Sequence, residues 1–136
     1  MVTFVNEAEA MRAVEGFTSA WLERDIPRKA SFLTEDFVLW NNCYKVEAAR
    51  NTALAFFNWL TTVMRGNRYY DIRRYLTPTG VVQQHLTSFD TDQGSFKDIP
   101  MLLVFTTRGD KISRCEEYVD SSGLPKLEWP EGARFL

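Results

Sequence analysis

Between residues 69 and 120 the chain reads as four β-rich segments separated by three turn signals, and this run constrains the fold more than any other feature. Segment 69–76 is followed by Thr77-Pro78-Thr79-Gly80, segment 81–89 by the polar stretch 90–94, and segment 96–107 by Arg108-Gly109-Asp110, which leads into 111–120. Proline, glycine and aspartate at such points reverse the chain tightly, so consecutive antiparallel strands are expected. The adhesion-like tripeptide Arg108-Gly109-Asp110 is read as one of these hairpin turns. Two long apolar-periodic segments precede the strands. Asn6 suits the cap of a helix over 7–24, with Met11, Val14, Phe17, Trp21 and Leu22 at helical spacing. Asp25-Ile26-Pro27 interrupts it, and Pro27 fits the first turn of a short helix reaching Phe32. A strand over 37–42 and a bulky helix over 46–64 follow, the latter closed by Gly66-Asn67 as a left-handed cap. The expected class is α+β, with helices packed on a curved antiparallel sheet.

Size and charge narrow the function. The 136 residues show no break in composition, so one domain over 1–136 is expected, with an irregular tail over 124–136. The net charge of -2, without a basic block, provides no positive face for a phosphate backbone, and nucleic acid is not an expected partner. Glu7, Glu9 and Glu15 break any secretory apolar core, and Met101–Phe105 is too short to span a bilayer. Cys43 and Cys115 match no metal or redox spacing. A cytoplasmic protein with reduced thiols, not associated with a membrane, is the resulting expectation. No phosphate loop, nucleophile elbow or metal-ligand cluster is present in the sequence, so neither a metal nor an organic cofactor is expected.

The polar strand residues are the candidates for chemistry. Along 111–120, alternation puts Ile112, Arg114, Glu116, Tyr118 and Asp120 on one face, and Ser113, Cys115, Glu117 and Val119 on the other. Neither face is uniformly apolar, so periodicity leaves open whether Asp120 points into a pocket or ends a strand in solvent. His85 is the single histidine and shares a face with Gln83 and Thr87, while Gln84, Leu86 and Ser88 face the other way. Either a polar-lined cavity or a solvated strand accounts for this segment. Trp40-Asn41-Asn42 ends the first strand with two amides, able to bind a ligand or to form a turn.

The element order and the segment PMLLVFTTRGDKISRCEEYVD, 100–120, resemble the nuclear transport factor 2-like superfamily, and within it the SnoaL-like, ketosteroid isomerase-like branch related to limonene epoxide hydrolases. Gly109-Asp110-Lys111-Ile112 and Tyr118-Val119-Asp120 carry the resemblance. It implies a cone-shaped α+β barrel of cystatin-like type, with a deep apolar pocket between helices and sheet and dimerisation through the outer sheet face. It also implies that the closing Asp120 faces the pocket and moves protons; His85, which matches no family histidine by motif, is the expected partner acid or base if its face turns inward. Asn42, Gln84 and Tyr118 then hydrogen-bond the substrate, and Trp40, Phe57 and Trp59 supply wall. Leu86 and Ser88 stand where epoxide hydrolases carry an Arg-x-Asp pair, which disfavours their usual mechanism. The expected function is cofactor-independent isomerisation, cyclisation or dehydration of a small hydrophobic, polyketide- or terpenoid-like substrate by a homodimer. A binding module on the same fold, for a small ligand or a partner chain, and an atypical epoxide hydrolase are the alternatives.

Overall fold

The computed structural model describes residues 5–45 and 47–125. Helix α1, Glu7–Leu22, starts as expected: the Asn6 side chain accepts from the Glu9 amide at 3.0 Å. Its buried face is Ala10, Ala13, Val14, Phe17, Thr18, Ala20 and Trp21, the stripe that apolar spacing at three and four residues produces. Asp25 caps the short α2, Ile26–Ala30, by accepting from the Arg28 amide at 3.0 Å, with Pro27 in the first turn. Strand β1, Leu33–Asn41, leads through a turn to a short strand β2, Glu47–Ala49, and to helix α3, Arg50–Val63. Then come the long strands β3, Arg65–Thr77; β4, Gly80–Thr91; β5, Gly94–Arg108; and β6, Lys111–Val119. A 3-10 turn at Ser121–Gly123 follows. Beyond Pro125 the expected irregular tail lies outside the described residues.

The six strands form one open sheet in the order β2-β1-β6-β5-β4-β3, with the helices against its inner face. The α+β, cone-like class expected from the sequence is observed. One pair departs from the all-antiparallel expectation: β1 and β6 run parallel. A parallel pair needs a long crossover, and the whole segment between them serves as one. The second long helix also starts later than expected, because residues 47–49 pair with β1 instead. Gly66 does adopt a left-handed conformation (φ +63°), but inside β3 rather than as a helix cap. There the register against β4 slips between Arg65 and Arg68, and glycine accepts that bulge without strain.

Aromatic rings dominate the core between the layers. Phe17 meets Phe105 and Phe57 edge-on, with centroids 5.5 and 6.1 Å apart, and Phe37, Leu39, Leu103 and Ile112 are buried beside them. Each such side chain contributes about 1.5–3 kcal/mol by leaving water. This core holds α1 and α2 at a set distance from the inner sheet face. Among the described residues no helix is long and apolar enough to cross a membrane.

Candidate functional site

The orientation of β6 decides which carboxylate meets the interior. Ile112 and Cys115 are both buried although they are three residues apart. Strict alternation would place them on opposite faces. The register against β5 shifts between Thr106 and Thr107, and that against β1 between Leu33 and Val38, so the face changes within residues 112–115. Past the irregularity, Cys115, Glu117 and Val119 point toward the helices, while Tyr118 and Asp120 are exposed.

The inward residues help to line a cavity of about 380 Å³ between the helices and the sheet. Its wall is mainly apolar, from Phe17, Trp21, Phe56, Phe57, Leu60, Met64, Phe89 and Leu103, and the exposed Cys43 and Ser121 mark its mouth. Lys29, Glu117, Asn41, Thr18, Tyr69 and Thr87 are the main polar groups on it.

Lys29 is 3% exposed. The cap and proline of α2 hold its backbone beside the end of α1, and its Nζ lies over three rings: Phe57 at 3.6 Å, Trp21 at 4.2 Å and Phe17 at 4.3 Å from the centroids. Aromatic faces favour the ammonium by about 2 kcal/mol when water is excluded. Burial outweighs them, lowering the Lys29 pKa to about 7, with Glu117 pulling the other way. Burial likewise raises the Glu117 pKa, opposed by the Lys29 charge and by a hydrogen bond from Asn41 Nδ2 at 3.3 Å. The Asn41 amide is itself oriented, because its Oδ1 accepts from the Cys43 amide at 2.7 Å. Among the described residues no ion pair within 4 Å joins Lys29 to Glu117. The cavity thus holds an acid and an amine that act on one another without contact.

Tyr69 completes the polar set. Burial pushes its phenol well up, so it remains neutral and able to donate. Its ring stacks on His85 with centroids 3.8 Å apart. The face of β4 that carries Gln83, His85 and Thr87 is the inward one, and all three are buried. Gln83 Oε1 accepts from Thr18 Oγ1 at 3.1 Å and from Arg74 Nε at 2.9 Å. Its amide nitrogen is therefore the donor to His85 Nδ1 at 3.1 Å, which puts the histidine proton on Nε2. Burial first, and then the Arg74 guanidinium, lower the His85 pKa to about 4. His85 is a neutral, packed imidazole that supports Tyr69 and does not itself line the cavity.

Five of the residues expected at the site, Asn42, Gln84, His85, Tyr118 and Asp120, come together instead on a separate, more open depression of about 590 Å³. Asp120 does not face the pocket. It is exposed, and its carboxylate accepts from the Ser122 amide at 3.1 Å and from the Ser122 hydroxyl at 2.6 Å, which hold its pKa below the usual carboxylate range. The shift of face along β6 is the physical reason. Asn42 joins strand ends: its amide donates to the Val119 carbonyl and accepts from the Val119 amide, both at 3.0 Å. Trp40 packs on Tyr118 with centroids 5.2 Å apart, and Gln84 is exposed beside Tyr118 on the outer sheet face. Trp59 packs against Phe56 and is not in the cavity wall. Phe57 does line it. Sequence reasoning passed over Lys29 and Tyr69, and named Asn41 only as one of two amides able to bind a ligand. Glu117 was visible only as the alternative face of the last strand, and a lysine in a short helix carries no signal of burial.

No protein-family model matches the sequence, and no curated protein sequence matches it. Solved structures do resemble it. An NTF2-like protein from Anabaena variabilis superposes with a TM-score of 0.75 at 24% identity, covering 85% of this chain and 90% of that one. A protein from Xanthomonas campestris, named for an inferred polyketide cyclase activity, gives 0.74 at 19% identity, over 85% and 93% of the two chains. An epoxide hydrolase of limonene epoxide hydrolase-like type from Mycobacterium tuberculosis gives 0.73 at 18% identity, over 86% of each. At these identities the likeness is one of fold. The fold of this chain is the nuclear transport factor 2-like fold.

Proposed function

We propose that the protein is a proton-transfer enzyme that isomerises, cyclises or dehydrates a small apolar substrate in its cavity. The observation that carries this reading is the presence of Glu117 and Lys29 on one largely apolar cavity, each shifted by burial toward neutrality. A carboxylate whose pKa has moved up is a stronger base than one in water and exchanges its proton nearer to neutral pH. Glu117 is the proton acceptor and donor, and protonated Lys29 stabilises negative charge on the substrate's oxygen, a role in which a dry site magnifies each charge. Tyr69 donates a hydrogen bond to the same oxygen. The resemblance to structures named for cyclase and epoxide hydrolase activities supports a catalytic use of the fold.

The test does not require the natural substrate. Ring opening of 5-nitrobenzisoxazole needs only a base in an apolar site and releases a coloured phenolate. The wild type should accelerate it beyond acetate at equal concentration. Glu117→Gln should lose about a hundred- to ten-thousand-fold, the usual contribution of a positioned base, while remaining folded by circular dichroism. A Gln variant as fast as the wild type would remove Glu117 from the reaction. A folded wild type no better than acetate would leave a binding module.

A further inference from the structure

The amine of Lys29 is placed unlike a structural lysine. Buried lysines are ordinarily met by a carboxylate in contact. This one is 3% exposed and has three ring faces about its Nζ instead, with Glu117 on the same cavity but outside ion-pair distance. An amine enclosed in this way binds its proton weakly, and at neutral pH a large fraction carries a free lone pair. A desolvated lysine beside an acid is the arrangement that attack on a carbonyl requires.

We propose that Lys29 is a nucleophile that condenses with an apolar aldehyde or ketone held in the cavity, forming an imine. The inference rests on the reading of this cavity as catalytic. In the first step Nζ bonds to the carbonyl carbon, and the C=O π pair moves to oxygen, which takes up a proton as nitrogen loses one. In the second step the protonated Glu117 carboxyl gives its proton to the departing hydroxyl. The C–O bond breaks, the nitrogen pair closes C=N, and water leaves. The nitrogen's remaining proton returns to Glu117, so the sum is amine plus carbonyl to imine plus water. Protonation of the imine acidifies the neighbouring C–H, and Glu117 is on the same cavity to remove that proton. In that reaction the imine nitrogen takes the place of the ammonium and of the substrate oxygen as the acceptor of the electron pair, and the substrate class is a hydrophobic aldehyde or ketone.

Reductive trapping tests this on the whole protein. The wild type is incubated with cinnamaldehyde and cyanoborohydride near neutral pH, and the adduct is located by peptide mass mapping. Lys29 should be labelled at least tenfold faster than the exposed Lys45, Lys97 and Lys111, and this preference should vanish in urea. Its labelling rate should level off above about pH 7, whereas the exposed lysines should continue to speed up. Glu117→Gln should slow the labelling at Lys29 without moving it to another residue. Label spread over the exposed lysines with Lys29 unmodified would overturn the proposal without needing a Lys29 variant. The benzisoxazole reaction reports on Glu117 alone: if it succeeds and Lys29 is unlabelled, the imine falls and proton transfer stands. If it fails and Lys29 is labelled, the imine stands on its own.

Discussion

Removing the two buried charges together should change how stability depends on pH in a particular way. The double variant Lys29→Met, Glu117→Gln keeps the length of both side chains and deletes both titrations. For Lys29 the folded pKa lies below the unfolded one, about 7 against 10.5. Between these values the unfolded chain binds more protons, so wild-type stability rises with pH across the window, and the cost of burying the amine is complete below it. Each pH unit is worth up to about 1.4 kcal/mol, which sets an upper limit of about 5 kcal/mol for the whole window. Glu117 has the opposite sign. Its folded pKa is raised, so its contribution is fully present below the ordinary carboxylate value and is lost as pH rises through the folded value. The wild type should therefore lose stability relative to the double variant on the acid side and regain it on the alkaline side, with a minimum between them. Urea unfolding at intervals from pH 4 to 9.5 measures this, with roughly 3 kcal/mol of relative recovery expected between about pH 7 and 9.5. Tyr69 and Cys115 are present in both proteins, so their titrations largely cancel in the difference. Parallel profiles would refute the reasoning, because they would mean that neither group is held away from its ordinary pKa.

Two further outcomes follow from the outer face of the sheet and its edge. Asp120→Asn should leave benzisoxazole turnover within twofold of the wild type, because that carboxylate is exposed and bonds only Ser122; a hundredfold loss would restore it to the site. Tyr75 and Tyr118 are exposed by 50% and 39%, and with Trp40 they put aromatic surface on the outside of the sheet. A homodimer that covers this face is expected, and sedimentation at micromolar concentration should show twice the 15.8 kDa chain mass; a single species at the chain mass would exclude it.

The local signals in this sequence were sufficient for the element order apart from the short β2. Asn6 caps the first helix as read, and the Thr77-to-Gly80, 90–94 and Arg108-to-Asp110 turns join the strands they were expected to join. Such features depend on residues a few positions apart, and so does their chemistry. The site depends on something else. Along Lys111–Val119 the polar and apolar residues divide almost evenly between the two faces, so alternation leaves Asp120 and Glu117 as equal candidates for the interior. A bulge just past the β5–β6 turn and the parallel pairing with β1 settle it; alternation does not announce the first, and the second comes from a strand far away in the sequence. Lys29 shows the same limit more sharply. Nothing within residues 26–30 distinguishes it from Arg28 beside it, which is only half-buried. Its depressed pKa comes from burial, which the packing of two other helices around it produces and which outweighs the ring faces of Phe17, Trp21 and Phe57. Burial and the long-range pairing that produces it are properties of the assembled layers, and only they move an ordinary lysine and an ordinary glutamate away from their usual pKa values.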